Sequence, residues 1–463
     1  KSSTKFVKKE DLPEVRKPVE KKVSFNVKLR WTLVIMGAFF ILYNIPLHGL
    51  SNNALERFRY LAVLFGTDFG SVISLGIGPI VMSSIILQLL VGSGILTINT
   101  KTEEGKKLYQ GLQKLGVLFF IVFEAMVYVL MQGLQAAPGF TGILIIQLIL
   151  GGLAIMFMDE VVSKWGFGSG VSLFIVAGVA LNLFTGLFQF IGPTGTSCLT
   201  DFGTTACTGK VLVVLQSIIN GAPREALLAF AIIAITAALF LGIVWAQSLK
   251  IELPLSFDRL RGHMVKWPLP LFYASNIPVI LVAALVANLQ LFAGLIEGWL
   301  GRATFLGTFS NGVPVAGFAY WIGSTDLVTS VITGSLQTSH IFQAVTHLVF
   351  YILLSIMFSV FWVKTAGMDA ASIARNIMAS GLQIPGFRKD ERVLESILSR
   401  YVMPLTIMGG IAVGALAAIA DLFGVLTSGT SLLLAITITY QLFQNIAQQH
   451  AVDMHPALRK FVG

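Results

Sequence analysis

Charge is scarce in this chain. Only 12% of its 463 residues are Asp, Glu, Lys or Arg, about half of the roughly 25% usual for soluble domains. With 55% apolar residues and a mean hydropathy of +0.81, a soluble enzyme would leave large apolar areas bare to water. Cysteine is scarcer still. Cys198 and Cys207 are the only two, which excludes a thiolate metal cluster and a disulfide-rich scaffold. The six histidines are scattered. Catalytic motifs are missing too: there is no GxSxG, no HExxH, no Walker A sequence and no GxGxxG opening a helix after a strand. The stretch GFGSG at 166–170 places Phe167 two residues before Ser169, so it is not a nucleophile elbow. Nor does a short apolar core with a small-residue cleavage site stand near the start, so the first membrane span is expected to direct insertion itself.

What is present is a series of long apolar runs. A helix needs roughly 20 apolar residues to cross a hydrocarbon core, and only helices or closed barrels satisfy their backbone polar groups in lipid. The runs are continuous and do not alternate, which argues against a barrel. They predict ten helical spans: 31–47, 71–94, 112–134, 141–158, 170–191, 226–247, 270–290, 338–363, 401–420 and 431–448. Segments 1–30, 97–114, 159–169, 249–268, 364–400 and 449–463 then share one side, and they carry 27 of the 32 lysines and arginines. Positive loops stay in the cytoplasm, so both termini are expected there. The chain is read as a multi-pass protein of the cell membrane.

Five spans precede the polar segment 191–225 and five follow it. A repeat with an odd number of spans must be inverted against its copy, and such repeats often enclose a pathway at their interface. The expected organisation is a cytoplasmic segment 1–30, a first half 31–190, an external linker 191–225, a second half 226–448 and a cytoplasmic tail 449–463. The repeat rests on the count; no convincing residue-level similarity between the halves is visible.

Several features have two readings. Ala54–Phe65 suits a short helix with Leu55, Phe58, Ala62 and Phe65 on one face, either an interfacial helix or a re-entrant segment. Gly76, Gly78 and Pro79 loosen the second span beside Ile77 and Val81, which in isolation read as lipid-facing. Asn276 and Pro278 mark the start of the seventh span and Asn288 lies deep along it. Glu124 sits mid-span, which is a functional sign by default unless it pairs with Gln88 or Asn288. Loops 249–268 and 364–400 are longer and more basic than helix turns require, suiting RNA phosphates or acidic lipid. Cys198 and Cys207 share an outer loop and are either bridged or free. His450, Asp453 and His455 at the tail are read as incidental, and no metal or cofactor is expected.

At GIGPIVMSSIILQLLVGSG (76–94) and SNIPVILVAALVANLQ (275–290) the sequence resembles the SecY family, the channel (alpha) subunits of the Sec protein translocon, and most of all its archaeal branch. DEVVSKWGFGSGVSLFIVAGV (159–179), FWVKTAGMDA (361–370), GFRK (386–389) and SGTSLLLAI (428–436) match as well, in order, from about residue 20 to the end.

The resemblance implies an all-α polytopic fold of ten transmembrane helices, in two inverted five-helix halves that form a clamshell around a central pore. By motif position the pore's waist is a ring of Ile77, Val81, Val171, Ile175, Ile280 and Leu434. A plug with Asn53, Leu55, Phe58, Leu61, Ala62 and Phe65 sits beneath it. A lateral gate carries Met82, Ser84, Gln88, Glu124 and Asn288; Met82 stands where the family often has Thr, with Ser83 and Ser84 beside it. Lys250, Arg259, Arg261, Lys266, Arg388 and Lys389 fall in the loops that meet the ribosome. The implied partners are a SecE (gamma) subunit, a beta subunit, the ribosome through rRNA phosphates, signal sequences and nascent polypeptides, and membrane lipid. The implied function is non-enzymatic: unfolded secretory polypeptide crosses the waist, and apolar segments leave sideways into lipid. An ion-coupled transporter is the competing reading, but its midplane would need charged or hydroxyl-rich sites where this chain offers aliphatics. An intramembrane enzyme lacks its motifs.

Overall fold

The computed structural model describes residues 13–18, 23–98, 102–192, 196–199, 206–257, 264–274, 277–379, 382–383 and 390–454. The first half contains α1 (Phe25–Asn44), strand β1 (Leu50–Asn53), a 3-10 turn (Ala54–Phe58) continued by α2 (Arg59–Leu64), α3 (Gly78–Gly92), α4 (Glu103–Leu130), β2 (Leu134–Ala136), α5 (Thr141–Trp165) and α6 (Gly170–Phe188). A connecting helix α7 (Lys210–Ile219) leads to α8 (Pro223–Ser248), strands β3 (Lys250–Phe257) and β4 (Met264–Pro270), and α9 (Ile277–Leu300). The chain continues through β5 (Thr308–Ser310), β6 (Val313–Ala316), α10 (Phe318–Ile322), α11 (Leu327–Thr333), α12 (Thr338–Thr365), α13 (Ala370–Ala379), β7 (Leu382–Gln383), α14 (Glu391–Leu422) and α15 (Gly429–Met454).

Every predicted span contains a helix: α1, α3, α4, α5, α6, α8, α9, α12, α14 and α15. Eight of the ten, all but α3 and α15, are by themselves long and apolar enough to cross a membrane. Their outward faces are apolar. On α12, Phe342, Val345, Val349 and Leu353 are exposed at the i, i+3, i+7 spacing of one stripe, and on α4 Phe119, Phe123 and Leu130 are exposed. Such surface is tolerable only against lipid. The helix α9 is the exception. It is apolar all round and mostly buried, and it packs on α2, α3, α12, α14 and α15, so it runs through the centre.

The structure differs from the sequence expectation in four places. Residues 71–77 of the second span are turns, not helix. Gly76 has φ +53°, and a Cβ there would lie 2.4 Å from the Phe65 carbonyl oxygen, so the chain bends to admit the plug segment and α3 is cut to 15 residues. The seventh span is shifted towards its C-terminal end, helical over Ile277–Leu300, because β4 takes up Met264–Pro270. The linker 191–225 contains α7, which buries Gln216 and Ser217 and exposes Leu215, Ile218 and Ile219. Lastly, small sheets stand outside the spans. In one of them β7 adds to β3 (Ser256 opposite Gln383, Phe257 opposite Leu382) beside the β3–β4 hairpin. That sheet joins the two basic loops, distant in sequence, into one body.

Two further ties were not foreseen. Residues 13–16 strap Lys114 within α4 to the C-terminal end of α5. The Val15 amide donates to Glu160 Oε2 (3.0 Å), Lys164 Nζ donates to the Val15 carbonyl (2.6 Å), and Trp165 Nε1 donates to the Arg16 carbonyl (2.9 Å). Lys114 pairs with Glu160 beneath them and bonds the Pro13 carbonyl. Across the halves, Gln449 of α15 donates to the Val23 carbonyl (3.1 Å) and accepts from Lys28 Nζ of α1 (2.9 Å).

Cys198 and Cys207 are joined by a disulfide in the connection between the halves. Closing so short a loop stabilises by about 2.5–3 kcal/mol in the chain-entropy account. The Cys198→Ser/Cys207→Ser double variant is expected to melt several degrees lower in detergent, by differential scanning fluorimetry. An unchanged midpoint would mean that the linker is held by α7 alone.

Candidate functional site

The six aliphatic side chains of the expected waist come from α6, α9, α15 and the start of α3, that is, from both halves. Ile77, Val81, Ile175, Ile280 and Leu434 are buried in one continuous apolar cluster, and Val171 is half-buried against it. None faces lipid. On one side lies a cavity of 180 Å³, lined among others by Ser169, Ser172, Ile277, Ile280, Gln441 and Asn445. Polar walls there explain why α15 is less apolar than a lipid-facing span. A second cavity of 180 Å³ lies against the start of the Asn53–Phe65 segment, lined by Asn53, Glu56, Asp68 and Phe69.

The segment Asn53–Phe65 fills the space under that neck. Leu55 and Phe58 are wholly inaccessible, and Leu61, Ala62 and Phe65 are buried. Its end touches the neck directly, since the Ile77 amide donates to the Phe65 carbonyl (3.0 Å). Its start is pinned by Asn53 Nδ2 donating to the Phe69 carbonyl (2.6 Å). Its flank is fastened to the second half. The Phe58 ring lies where a Cβ on Gly294 of α9 would be, 2.3 Å away, and meets Phe309 of β5 edge-on at 5.5 Å. Arg57 donates to the Gly294 carbonyl (3.2 Å) and Tyr60 to Gln290 Oε1 (3.1 Å). A surface-lying interfacial helix would not be so enclosed; the re-entrant reading holds for this segment.

The halves meet along two seams. At one, α15 packs on α6; at the other, α3 packs on α9 and α12. At the second, Phe361 of α12 seats on Gly92 of α3, 2.5 Å from where a Cβ would stand. The polar residues expected there are arranged differently from the sequence reading. Glu124 is buried and pairs with neither Gln88 nor Asn288; among the described residues its carboxylate oxygens have no hydrogen-bond partner. Instead Oε2 lies 3.0 Å from the Cβ position of Gly78, at the first turn of α3, where the helix dipole is positive. Asn288 Nδ2 donates within its own helix to the Ala284 carbonyl (2.8 Å). Ser84 accepts from Gln113 Nε2 of α4 (2.8 Å) and Ser83 donates to the Gln113 carbonyl (2.7 Å). Gln113, absent from the sequence reading, therefore ties α3 to α4 within one half, and these hydroxyls do not bridge the seam. Met82 and Ser84 are half-buried and Gln88 is buried.

Of the expected basic contacts, Arg259, Arg261, Arg388 and Lys389 lie outside the described residues, as does the side chain of Lys266. Lys250 is exposed, and so are Lys364, Arg375, Arg392 and Arg400 on the same end of the molecule.

Taken together, the apolar outward faces of the helices, the buried aliphatic neck, the enclosed segment beneath it and the seam between the halves fit a multi-pass membrane channel of the protein-conducting class. The chain belongs to the SecY family, whose sequence signature matches residues 71–443. It is 43% identical over 458 residues to the protein translocase subunit SecY of Methanothermobacter thermautotrophicus, covering 98% of this chain and 97% of that one. It is 37% identical over 457 residues to that of Methanocaldococcus jannaschii, covering 98% of each. Among solved structures it resembles a protein-conducting channel with a TM-score of 0.80 at 34% identity, over 97% of this chain and 98% of the other. It also resembles the channel in a canine ribosome–channel complex from the endoplasmic reticulum, with a TM-score of 0.77 at 34% identity and the same coverage.

Proposed function

We infer that this chain is the central, non-enzymatic channel subunit of a Sec-type translocon, and that it passes unfolded polypeptide through the neck formed by Ile77, Val81, Val171, Ile175, Ile280 and Leu434. The observation that carries the reading is the burial of these side chains at the meeting of both halves, directly above the docked plug. An apolar constriction admits water and hydrated ions only at high desolvation cost and so closes by dewetting. Aliphatic side chains offer a passing polypeptide no specific bond that must be broken. Residues Asn53, Leu55, Phe58, Leu61, Ala62 and Phe65 act as the stopper. The seam bearing Met82, Ser84, Gln88, Glu124 and Asn288 opens sideways. A signal sequence or nascent span leaves there because each methylene removed from water gains about 0.8 kcal/mol. Photo-crosslinkers at Ile280 and at the lipid-facing Leu353 test this. A stalled nascent chain reacting at Ile280 and not at Leu353 is expected; the reverse would place the path elsewhere.

Both termini are cytoplasmic in this reading, from the charge asymmetry of the loops. The domain boundaries stay as the charge and hydropathy draw them, with halves 31–190 and 226–448. A SecE (gamma) subunit clasps the halves and a beta subunit accompanies it. The chain has no nucleotide-binding motif, so the driving force comes from a partner such as the elongating ribosome. The united basic loops, with Lys250, Arg259, Arg261, Lys266, Arg388 and Lys389, dock on rRNA phosphates. Such contacts release counterions and weaken steeply with salt. Arg259→Glu with Arg388→Glu is expected to weaken ribosome binding by about tenfold or more at 150 mM salt and to flatten its salt dependence, measured by co-sedimentation. Equal binding by variant and parent at low and high salt would assign those loops to lipid.

A further inference from the structure

Two helix junctions in opposite halves, too short to reveal a repeat by sequence alone, share four of seven residues and the same contacts. Where α5 gives way to α6 the chain reads Ser169-Gly170-Val171-Ser172-Leu173-Phe174-Ile175, and where α14 gives way to α15 it reads Ser428-Gly429-Thr430-Ser431-Leu432-Leu433-Leu434. Aligned this way, Ile175 falls on Leu434 and Val171 on Thr430. Both helices begin at the glycine. At both, an aspartate near the end of the preceding helix accepts the amide of the residue after that glycine. Asp159 Oδ1 accepts from Val171 (2.9 Å) and Asp421 Oδ1 from Thr430 (2.8 Å). Hydroxyls add to each carboxylate, Ser169 Oγ to Asp159 Oδ1 (3.4 Å) and Thr430 Oγ1 to Asp421 Oδ2. The glycines permit the contact: a Cβ on Gly170 would stand 2.5 Å from Asp159 Cα, and one on Gly429 would stand 2.0 Å from the Ala420 carbonyl carbon. Five spans separate the junctions, so they lie on opposite sides of the membrane, as inverted repeats require.

The first amides of a helix have no partner within it, and a carboxylate at that end also meets the positive end of the dipole. An ordinary cap comes from the residue just before the helix; Ser169 makes no such bond, whereas at α15 Ser428 Oγ also accepts the Ser431 amide (3.2 Å), so there the aspartate adds to a local cap. Here the acceptor belongs to the neighbouring helix, so it fixes where α6 and α15 start relative to α5 and α14. Val171 follows Gly170 directly, and Ile175 and Leu434 each stand five residues after their glycine. A slip or rotation of the helix start would swing these side chains out of the neck. Asp421 has other neighbours, His347 Nε2 at 3.7 Å and, beside that ring, Tyr351.

We propose that Asp159 and Asp421 are positioning residues that hold the pore-lining helices α6 and α15 in register, one from each side of the membrane. The proposal rests on the neck reading given above. It is tested in proteoliposomes of the whole channel complex with a membrane-impermeant maleimide and single cysteines at Ile175→Cys or Leu434→Cys; Cys198 and Cys207 are bridged and silent. Both cysteines are expected to be nearly inert in the parent. Asp159→Ala should raise labelling of Ile175→Cys roughly fivefold, the size of a typical lost cap, and leave Leu434→Cys unchanged. Asp421→Ala should do the reverse. Asp159→Asn and Asp421→Asn keep an oxygen that accepts the amide and should restore protection. Asp390→Ala removes an acceptor from α14 (to the Arg392 amide, 2.9 Å), which carries no neck residue, and should change neither. Should an alanine variant not accumulate, serine, too short to reach, replaces it. Equal labelling of both cysteines in either variant, or no change in both, overturns the proposal. Ile280→Ser in the same vesicles separates the two ideas. If it leaks ions while the aspartate variants change nothing, the neck stands and the caps fall. If it leaks nothing, the neck reading falls, and with it what the caps are proposed to hold.

Discussion

Replacing Ile77, Val81 and Ile280 together with asparagine is expected to turn the resting channel into an ion leak. In this structure these side chains are 1%, 3% and 7% exposed. Wetting the neck would bring each into water at a cost of about 1.5–3 kcal/mol. Asparagine removes that cost and offers hydrogen bonds to entering water. Summed over three positions, the wetted population should rise by roughly a thousandfold at least, since every 1.4 kcal/mol is tenfold. The measurement is conductance of the purified complex in a planar bilayer without ribosome or substrate. The same variant should export precursors with defective signal sequences, because a neck already half open demands less from its opener. A triple variant as tight as the parent would remove the aliphatic ring from the sealing mechanism. A volume-matched Ile→Leu control should stay closed, separating polarity from packing.

The second large effect is expected at the plug. Phe58 is wholly buried between Gly294 of α9 and Phe309 of β5, and the ring must leave that slot when the plug moves aside. Phe58→Ala deletes this burial and leaves a cavity, at about 3–5 kcal/mol for a core phenylalanine. Part of the cost falls on the displaced state too, so a shift of roughly a hundredfold towards displacement is a fair expectation. Gly294→Val tests the same packing from the other wall, since its first side-chain carbon would occupy the Phe58 ring at 2.3 Å. Both variants should flicker open in single-channel records while the neck remains aliphatic. Their leak should be briefer than that of the asparagine variant. If neither flickers, the plug is held by Arg57, Tyr60 and the Ile77–Phe65 bond and not by this ring.

The span count was legible in one dimension, and so was the multi-pass character of the chain. Length and hydropathy decide whether a backbone can leave water, and each helix satisfies its own backbone polar groups. Charge bias acts loop by loop and needs no knowledge of partners. Motif order then nominated the neck residues and the plug segment, which the structure finds buried. Two details were not legible. Of the two readings of Glu124, pairing with Gln88 or Asn288 does not hold; it lies at the start of α3, and no spacing rule reports a helix end as a neighbour. The bond from Gln113 to Ser84 within one half was not visible either.

Hydropathy therefore determined by itself that the chain is a multi-pass protein, and its span count suggested a repeat of five spans, because hydropathy adds along the chain. Only the tertiary structure decided that β7 joins the two basic loops, that residues 13–16 strap α4 to α5, and that Asp159 and Asp421 reach the helix that follows. It alone also decided that Phe58 locks the stopper to α9. Each of these is a meeting of groups whose separation in sequence says nothing of their distance in space, and whose strength depends on burial that the packed helices create.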